Sequence, residues 1–350
     1  MGSADPGAAR TTIRARAPLR LGLAGGGTDL SPYCEDFGGA VLNCTIDKYA
    51  YAFVSARNDD NVVFRAVDLG IEETFPLSAP SNGKLALHAG VYRHFVTKFA
   101  DGIPFAATIT TNVDAPAGSG LGSSSALVVA LVDALRAYLD VPLGPYDVAH
   151  LAFFIERIDL GLAGGKQDQY ASAFGGVNFI EFLSGDRVIV NPLRMPDAVL
   201  NEVETSIVVS FSGQSRQSAA IIDNQTAGMK SGTVRTLDAL HQLKADAIDM
   251  KRALLQGKVD EMATILNRSW ISKKATADAV TNPQLDALYE IGRRAGALGG
   301  KVSGAGGGGY MMFIVPPEER FRLVTALNEA GALATPVKFT ALGCETWQVR

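Results

Sequence analysis

The alternation of hydrophobic and polar residues in the first third of the chain is typical of β-strands. Runs rich in Thr, Val, Ile, Tyr and Phe occupy residues 12–23, 41–57, 61–67 and 105–113. Pro18 lacks the backbone N–H that a strand ladder uses, so we expect it to divide the first run into a pair of strands. The runs at 41–57 and 61–67 are expected to pair antiparallel. The chain is therefore predicted to open with a sheet.

Helices follow the opening strands and alternate with further strands. Apolar residues at helical intervals predict helices over 84–99 and 126–138, and Pro145 predicts the start of another over 146–158. The second half is expected to contain strands at 177–182, 202–211, 310–315 and 340–349 and helices at 236–256, 259–271, 283–297 and 317–330. A proline-bounded link at 192–196 separates the two halves. Length and pattern together predict two domains.

A glycine- and serine-rich loop joins the strand at 105–113 to the apolar helix that follows. Residues 114–126 read D-A-P-A-G-S-G-L-G-S-S-S-A. Such a loop presents backbone N–H groups and a positive helix end to an anion, here inferred to be a nucleotide phosphate. It lacks the lysine of a P-loop and the Rossmann glycine spacing, and a simple turn into a buried helix is the other interpretation. The candidate ATP-binding residues are Pro116, Ala117, Gly118, Ser119, Gly120, Leu121, Gly122, Ser123, Ser124 and Ser125.

Three more glycine-rich segments occur at 24–29, 161–169 and 301–309. The first ends in Asp29, and the second ends with Asp168 between two glutamines. The first would also suit an ordinary turn, in which Gly and Asp are common. The third is so rich in glycine that ordering it costs much chain entropy, so a plain linker is not expected there. These segments indicate a site built from distant parts of the chain.

Composition narrows the classes of function. The 350 residues carry a formal net charge of −4, with 47% hydrophobic and 19% charged residues, which describes a soluble globular protein without a nucleic-acid partner. Three cysteines make no metal motif or disulfide framework, which fits a reducing, cytoplasmic location. Residues 1–10 are expected to be a flexible tail. No apolar run approaches the ~18 residues of a membrane span, so no membrane partner is expected.

Phosphoryl transfer is a reaction that would use these elements together. It needs a donor cradle, a metal, an acceptor site and a proton acceptor. Ser124 and Glu156 are candidate Mg²⁺ ligands, although Glu156 alone would be an ordinary helix-end charge. Asp168 is the candidate proton acceptor, and Arg20 is a cation that would neutralise the transferring group or tune Asp168. Residues 212–218, S-G-Q-S-R-Q-S, would serve as an anion cradle or simply as a loop.

Residues 17–29, 116–126 and 301–309 resemble the three motifs of the GHMP small-molecule kinases. The order and spacing of the motifs cover nearly the whole chain. The resemblance implies an α+β fold with two domains and an active site between them. The N-terminal ATP-binding domain would be ribosomal-S5-domain-2-like over 11–192, and the C-terminal domain would be ferredoxin-like over 197–350. ATP and Mg²⁺ are the implied cofactors.

Within that family, the G-G-G-T-D and S-G-Q-S-R sequences and the W-I-S-K-K segment at 270–274 resemble the branch that phosphorylates heptose 7-phosphates. This resemblance implies phosphorylation of the anomeric hydroxyl of a heptose 7-phosphate, for nucleotide-activated heptose and a bacterial surface polysaccharide. The partners would be ATP and a sugar phosphate, and a homodimer is left open. Galactokinases carry an acidic residue and a histidine at the positions of Gly26 and Gly27, which argues against galactose.

The resemblance also implies roles for individual residues. Asp168 matches the catalytic aspartate, Arg20 the cation beside the transferred phosphate, and Asp29 a contact to a sugar hydroxyl. Glu156 and Ser124 match the Mg²⁺ ligands. The candidates for binding the acceptor are Gly25, Gly26, Gly27, Thr28, Asp29, Gly165, Asp168, Ser215, Arg216, Lys273, Lys301, Gly306 and Gly307, with Ser215 and Arg216 first, and Lys273 and Lys301 next, for its phosphate.

Two other functions are compatible with the motifs. A free-sugar kinase of the L-fucose type would need no second anion site. A sugar- or nucleotide-binding regulator that has lost catalysis would keep the fold alone. The joint presence of Asp168, Glu156 and Ser124 argues against the regulator.

Overall fold

The computed structural model describes residues 12–79, 83–213, 218–231 and 234–349. Within these residues the chain forms one large mixed sheet and one smaller antiparallel sheet, with helices packed on both. Ser215 and Arg216, the first candidates for binding the acceptor's phosphate, lie outside the described residues.

The large sheet has the strand order β12-β1-β2-β5-β3-β4, and β6 pairs with both β2 and β7. The small sheet has the order β11-β8-β10-β9. The strands are β1 (Thr12–Ala24), β2 (Gly39–Ala56), β3 (Asn61–Ala66), β4 (Ile71–Pro76), β5 (Ala107–Val113), β6 (Val177–Leu183), β7 (Arg187–Pro192), β8 (Ile207–Phe211), β9 (Gly299–Val302), β10 (Tyr310–Ile314), β11 (Leu333–Pro336) and β12 (Glu345–Val349).

The helices lie against these sheets and share the core with the strands. They are α1 (Tyr33–Phe37), α2 (Ala86–Phe99), α3 (Ser123–Tyr138), α4 (Pro145–Phe153), α5 (Gln167–Phe174), α6 (Asp197–Thr205), α7 (Ser218–Lys230), α8 (Val234–Leu255), α9 (Val259–Thr276), α10 (Pro283–Arg294) and α11 (Arg320–Glu329). A π-helical turn, Phe154–Asp159, continues α4, and short 3₁₀ turns occur at Asp278–Val280 and Pro317–Glu319.

Two details of the predicted opening sheet were wrong. β1 runs through Pro18 as one strand, and its register against β2 shifts between Pro18 and Leu19. A bulge of this kind accommodates a residue that cannot donate to the ladder. β2 and β3 do not pair with each other, because β5 lies between them and runs parallel to β3. The crossover through α2, which makes that parallel pairing possible, is invisible in the strand pattern itself.

Helix α3 occupies the core on one face of the large sheet. It begins at Ser123, directly after Gly122, whose φ of +74° is left-handed. Its residues from Ala126 to Leu135 are almost all buried, and it packs against β1, β2, α4 and α5. A helix that is apolar on every side must be surrounded in this way. The serine-bearing N-terminus of α3 is therefore held in place by the core.

The first element predicted for the second half of the chain is shorter than expected, and a helix precedes it. The strand predicted over 202–211 begins only at Ile207, because the preceding residues form helix α6, with Val203 buried. The last strand, β12, pairs antiparallel with β1, with Thr12 opposite Val349. A segment that the sequence assigned to the second domain thus completes the first sheet. The domain boundaries at 192 and 197 stay predictions.

Candidate active site

A cavity of about 640 Å³ lies between the N-terminal and C-terminal parts of the chain. All four glycine-rich segments contribute to its wall, represented by Gly26, Gly120, Gly164 and Gly304. Its volume is within the range of small-molecule binding sites. Segments that are far apart in sequence therefore meet at one site.

The glycine loop at 114–126 and the segment at 301–309 pack backbone to backbone. Tyr310 N donates to Ser119 O at 2.8 Å. A Cβ on Gly120 would lie 2.3 Å from Ser303 O, and a Cβ on Gly309 would lie 2.3 Å from Ser119 O. Both glycines also have a φ of +81°. Glycine is therefore required for the two loops to meet, whatever ligand they bind. The loop residues in the cavity wall are Ala117, Gly118, Gly120, Gly122, Ser123, Ser124 and Ser125.

Asp168 and Arg20 form an ion pair in the cavity wall. Arg20 Nε donates to Asp168 Oδ1 at 2.7 Å, and Arg20 Nη1 donates to Gly120 O at 2.6 Å. The side chain of Arg20 is 4% exposed and that of Asp168 is 19% exposed, so the carboxylate retains access to the cavity. Arg20 comes from β1 and Asp168 from the first turn of α5. One guanidinium thus joins a strand, a helix and the glycine loop.

Ser124 and Glu156 are brought together at the start of α3. Ser124 Oγ donates to Glu156 Oε1 at 2.5 Å, and both residues line the cavity. They are hard oxygen donors of the kind that Mg²⁺ takes from proteins while it keeps phosphate and water ligands. In the described part of the chain, no group of three or more acidic, histidine or cysteine side chains is placed to hold a metal ion, so a metal here would share its shell with a phosphate ligand. The residues therefore fit a magnesium ion that arrives with a nucleotide.

Asp29 caps helix α5 from a neighbouring segment. Its Oδ2 accepts from Gln167 N at 3.1 Å, and its Oδ1 accepts from Gly27 N at 3.0 Å. A Cβ on Gly165 would lie 1.9 Å from Asp29 Oδ2, so only glycine permits this approach. Asp29 also lines the cavity. It fixes the first turn of α5, the turn that carries Asp168, and its predicted contact to a sugar hydroxyl stays a prediction.

Two buried lysines extend from the C-terminal part of the chain into the cavity wall. Lys273 Nζ donates to Gly26 O at 3.0 Å, and Lys301 Nζ donates to Gly22 O at 2.7 Å. Burial lowers the pKa of Lys273 to about 8, against the attraction of Asp29. Burial, together with the nearby charges of Lys273 and Arg20, lowers the pKa of Lys301 to about 7. Both hydrogen bonds above run to backbone carbonyls, so an anion would stabilise the charged lysines.

Several predicted site residues lie outside the cavity wall. Thr28 is buried and bonded to the backbone, with Oγ1 2.8 Å from Gly25 O. Gly307 N donates to Val280 O at 2.7 Å, and Cβ atoms on Gly306 or Gly307 would clash with neighbouring residues. The other predicted residues outside the wall are Pro116, Ser119 and Leu121, whereas Gly25, Gly26, Gly27 and Gly165 are within it.

Three polar residues near the start of α3 and α5 were not among the predicted site residues. Gln167 lines the cavity and donates from Nε2 to Asp29 Oδ1 at 3.2 Å. Gln169 donates to Glu156 Oε2 at 2.7 Å, and Arg157 donates to Ser125 Oγ at 3.0 Å. The Q-D-Q sequence was visible, but amides have no characteristic spacing that would separate a site residue from a surface one.

Comparison with known proteins assigns the chain to a family. Residues 86–176 match the model of the GHMP kinases N terminal domain, and residues 250–333 match that of the GHMP kinases C terminal domain. A protein named D-glycero-alpha-D-manno-heptose 7-phosphate kinase, from Campylobacter jejuni, is 41% identical over 340 residues, which cover 97% of this chain and 99% of that one. The chain belongs to the GHMP kinase family.

Solved structures agree with this assignment. A D-glycero-D-manno-heptose 1-phosphate kinase from Bacteroides thetaiotaomicron is 40% identical with a TM-score of 0.82, and the match covers 97% of this chain and 99% of that chain. A galactokinase from Lactococcus lactis, 19% identical with a TM-score of 0.75 over 97% and 95% of the two chains, shares the fold. The expected two-domain α+β GHMP kinase fold is confirmed, and the chain is an ATP-dependent phosphotransferase. In the described residues, no helix is both long enough and apolar enough to span a bilayer.

Proposed function

We propose that this kinase transfers the γ-phosphoryl group of ATP to the anomeric hydroxyl of D-glycero-D-manno-heptose 7-phosphate. The product, a 1,7-bisphosphate, would serve the synthesis of nucleotide-activated heptose for a surface polysaccharide. The observation that carries the proposal is the pair of buried lysines, Lys273 and Lys301. A free sugar offers these cations no partner, whereas a sugar phosphate brings a dianion that accepts hydrogen bonds from both.

The names of two relatives differ on the position of the first phosphate. One is called a heptose 7-phosphate kinase and the other a heptose 1-phosphate kinase. We favour the 7-phosphate as the acceptor, in line with the resemblance carried by the G-G-G-T-D and W-I-S-K-K sequences. In either case the acceptor already bears a phosphate, which is the feature that the lysines require.

The chemistry is assigned to Asp168 and Arg20. Asp168 receives the proton of the sugar hydroxyl as its oxygen forms a bond to the γ-phosphorus, while the bond from that phosphorus to the β–γ bridging oxygen breaks and ADP leaves. Arg20 holds the Asp168 carboxylate beside the glycine loop, and its positive charge stabilises the negative charge of the transferring phosphoryl group. Ser124 and Glu156 would hold Mg²⁺, which offsets the charge of the ATP phosphates when it is bound. The N–H groups of the loop and the start of α3 bind those phosphates.

We further propose a cytoplasmic location. ATP is the donor, and the three cysteines are all free thiols, as is usual in a reducing compartment.

A panel of acceptors with Mg-ATP tests the substrate. Heptose 7-phosphate, heptose 1-phosphate, free heptose, L-fucose and galactose are compared by ADP release, and ³¹P NMR locates the new phosphate. We expect turnover with the 7-phosphate and a new signal from an anomeric phosphate. Turnover with heptose 1-phosphate and not with the 7-phosphate would mean that the acceptor carries its first phosphate at C1 and receives the second at C7. A preference for free L-fucose would contradict the role of the lysines.

A further inference from the structure

The two oxygens of the Glu156 carboxylate have different partners. Oε1 accepts from Ser124 Oγ at 2.5 Å, and Oε2 accepts from Gln169 Nε2 at 2.7 Å. Both Glu156 and Gln169 have no exposed surface. The first oxygen is thus directed to the start of α3, where nucleotide phosphates are expected, while the second is held on the opposite side by an amide.

The amide of Gln169 is itself braced. Its Nε2 also donates to Ser125 Oγ at 3.1 Å, and the same hydroxyl accepts from Arg157 Nη2 at 3.0 Å. Arg157 Nη1 lies 3.3 Å from Glu156 Oε1 and donates to Ala163 O at 3.1 Å. The two N–H groups of the glutamine amide are therefore both used to join Glu156 to the residue that follows Ser124.

This arrangement leaves a buried polar atom unsatisfied. Gln169 Oε1 has no hydrogen-bond partner within the described residues. An apolar residue of similar shape would avoid that cost, because a buried acceptor without a partner destabilises the folded state. The glutamine is therefore better explained by what its amide N–H groups hold than by packing.

Gln169 also follows Asp168 directly in the first turn of α5. Successive residues of a helix point about 100° apart, so one turn can direct Asp168 to Arg20 and Gln169 to Glu156. The position of the proton acceptor and that of the carboxylate beside Ser124 are thus fixed by the same turn.

We propose that Gln169 is a positioning residue for magnesium. It holds the Glu156 carboxylate in the rotamer that keeps Oε1 beside the Ser124 hydroxyl. Glu156 Oε1 and Ser124 Oγ are then both placed to bind the ion that accompanies the nucleotide. The proposal rests on the assignment of Ser124 and Glu156 as magnesium ligands. Partners that orient metal ligands in this way typically change metal affinity by about 10- to 100-fold when they are removed.

The test measures metal affinity without turnover. The dissociation constant of ADP is determined by calorimetry in EDTA and again in excess MgCl₂. The constant in EDTA divided by the constant in MgCl₂ is the ratio that reports how much the metal contributes to binding. Gln169→Met is expected to reduce this ratio by roughly tenfold or more, with ADP binding in EDTA unchanged. The matched control is Gln242→Met, since Gln242 also donates to a buried carboxylate, Asp246 Oδ1 at 2.9 Å, but lies outside the cavity wall.

Glu156→Gln, measured in parallel, separates the positioning role of Gln169 from the role of Glu156 as a metal ligand. A ratio reduced by Glu156→Gln but unchanged by Gln169→Met would overturn the positioning role and leave the metal ligand standing. A ratio unchanged by Glu156→Gln would overturn the ligand assignment and the positioning role with it. Equal losses in Gln169→Met and Gln242→Met would indicate general destabilisation and contradict the proposal. If Gln169→Met does not fold, Gln169→Asn, whose amide is too short to reach Glu156, is expected to give the same loss.

Discussion

The two halves of the cavity differ in how their charged groups are partnered. On the side that is proposed to bind ATP, Glu156 contacts Ser124, Gln169 and Arg157, and Asp168 is paired with Arg20 nearby. On the side that is proposed to bind the acceptor, the two lysines donate to backbone carbonyls, Lys273 to Gly26 and Lys301 to Gly22. The carboxylates of Glu156 and Asp168 thus have side-chain partners, whereas the hydrogen bonds of the two lysines run to backbone carbonyls, which leaves their charges for a ligand to balance.

Under the proposed function, this difference predicts where the specificity for the acceptor is located. A preformed network of hydrogen bonds suits ATP, which is the donor throughout the family. Buried lysines with depressed pKa values are costly to keep charged, and binding of an anion lowers that cost. The acceptor side is therefore the part of the cavity expected to differ between kinases for phosphorylated and free sugars.

The largest expected effect is on the group between the two halves. Asp168→Asn keeps the shape of the side chain but cannot take up a proton, so we expect kcat to fall by about 10²- to 10⁴-fold. Binding of ADP, measured by calorimetry, should change little because the donor network is intact. Near-normal turnover would contradict the role of Asp168 as proton acceptor.

Lys301→Met tests the acceptor side alone. We expect the KM for the sugar phosphate to rise by roughly 10- to 100-fold, the value of a charge-assisted hydrogen bond, with the KM for ATP unchanged. The same measurement with an unphosphorylated sugar is the control, and Lys301→Met should leave the KM for that sugar unchanged. Equal effects on both acceptors would place the lysine at the transferring phosphoryl group instead.

The depressed pKa values predict a pH dependence restricted to the acceptor. A lysine is charged below its pKa, so raising the pH through about 7 and about 8 removes charge first from Lys301 and then from Lys273. The KM for the sugar phosphate should therefore increase between pH 7 and pH 9, by up to about tenfold for each unit and each lysine. The KM for ATP is the internal reference. In Lys301→Met the step near pH 7 should disappear.

The smallest expected effect concerns the contact between the loops. Gly120→Ala puts a Cβ 2.3 Å from Ser303 O, in addition to the strain of its positive φ. Gly102→Ala is the control, since Gly102 has a φ of +76° and open space around it. We expect Gly102→Ala to lower the free energy of unfolding by about 1–2 kcal/mol and Gly120→Ala by more, as measured by thermal denaturation. Equal losses would mean that the loops separate at no cost.

Much of the fold followed from local patterns. Helix α3 was predictable because its apolar residues lie on all faces. The glycine loop was recognisable because three glycines and three serines come directly before the apolar run of that helix. The continuous strand through Pro18 was not predictable, since a bulge depends on the partner strand β2. Likewise, β12 joins the first sheet because β1 offers a free edge there, which no local pattern records.

Motif chemistry selected Asp168, Arg20, Ser124 and Glu156 as candidates, and the structure brings them together in two pairs. Gln169 could not be chosen from sequence, because an amide acquires a role only from the groups around it. Lys273 and Lys301 were weak candidates for a similar reason. The sequence does not distinguish a buried lysine from one on the surface.

The sequence by itself determined that glycines, serines and a helix start lie within thirteen consecutive residues, which is the local composition of an anion cradle. The tertiary structure alone decided the environment of the two lysines that are proposed to bind the acceptor. There, burial against Gly22 and Gly26 lowers the pKa values of two lysines that are twenty-eight residues apart in sequence. Burial and the electrostatic interaction of distant residues exist only once the chain has folded.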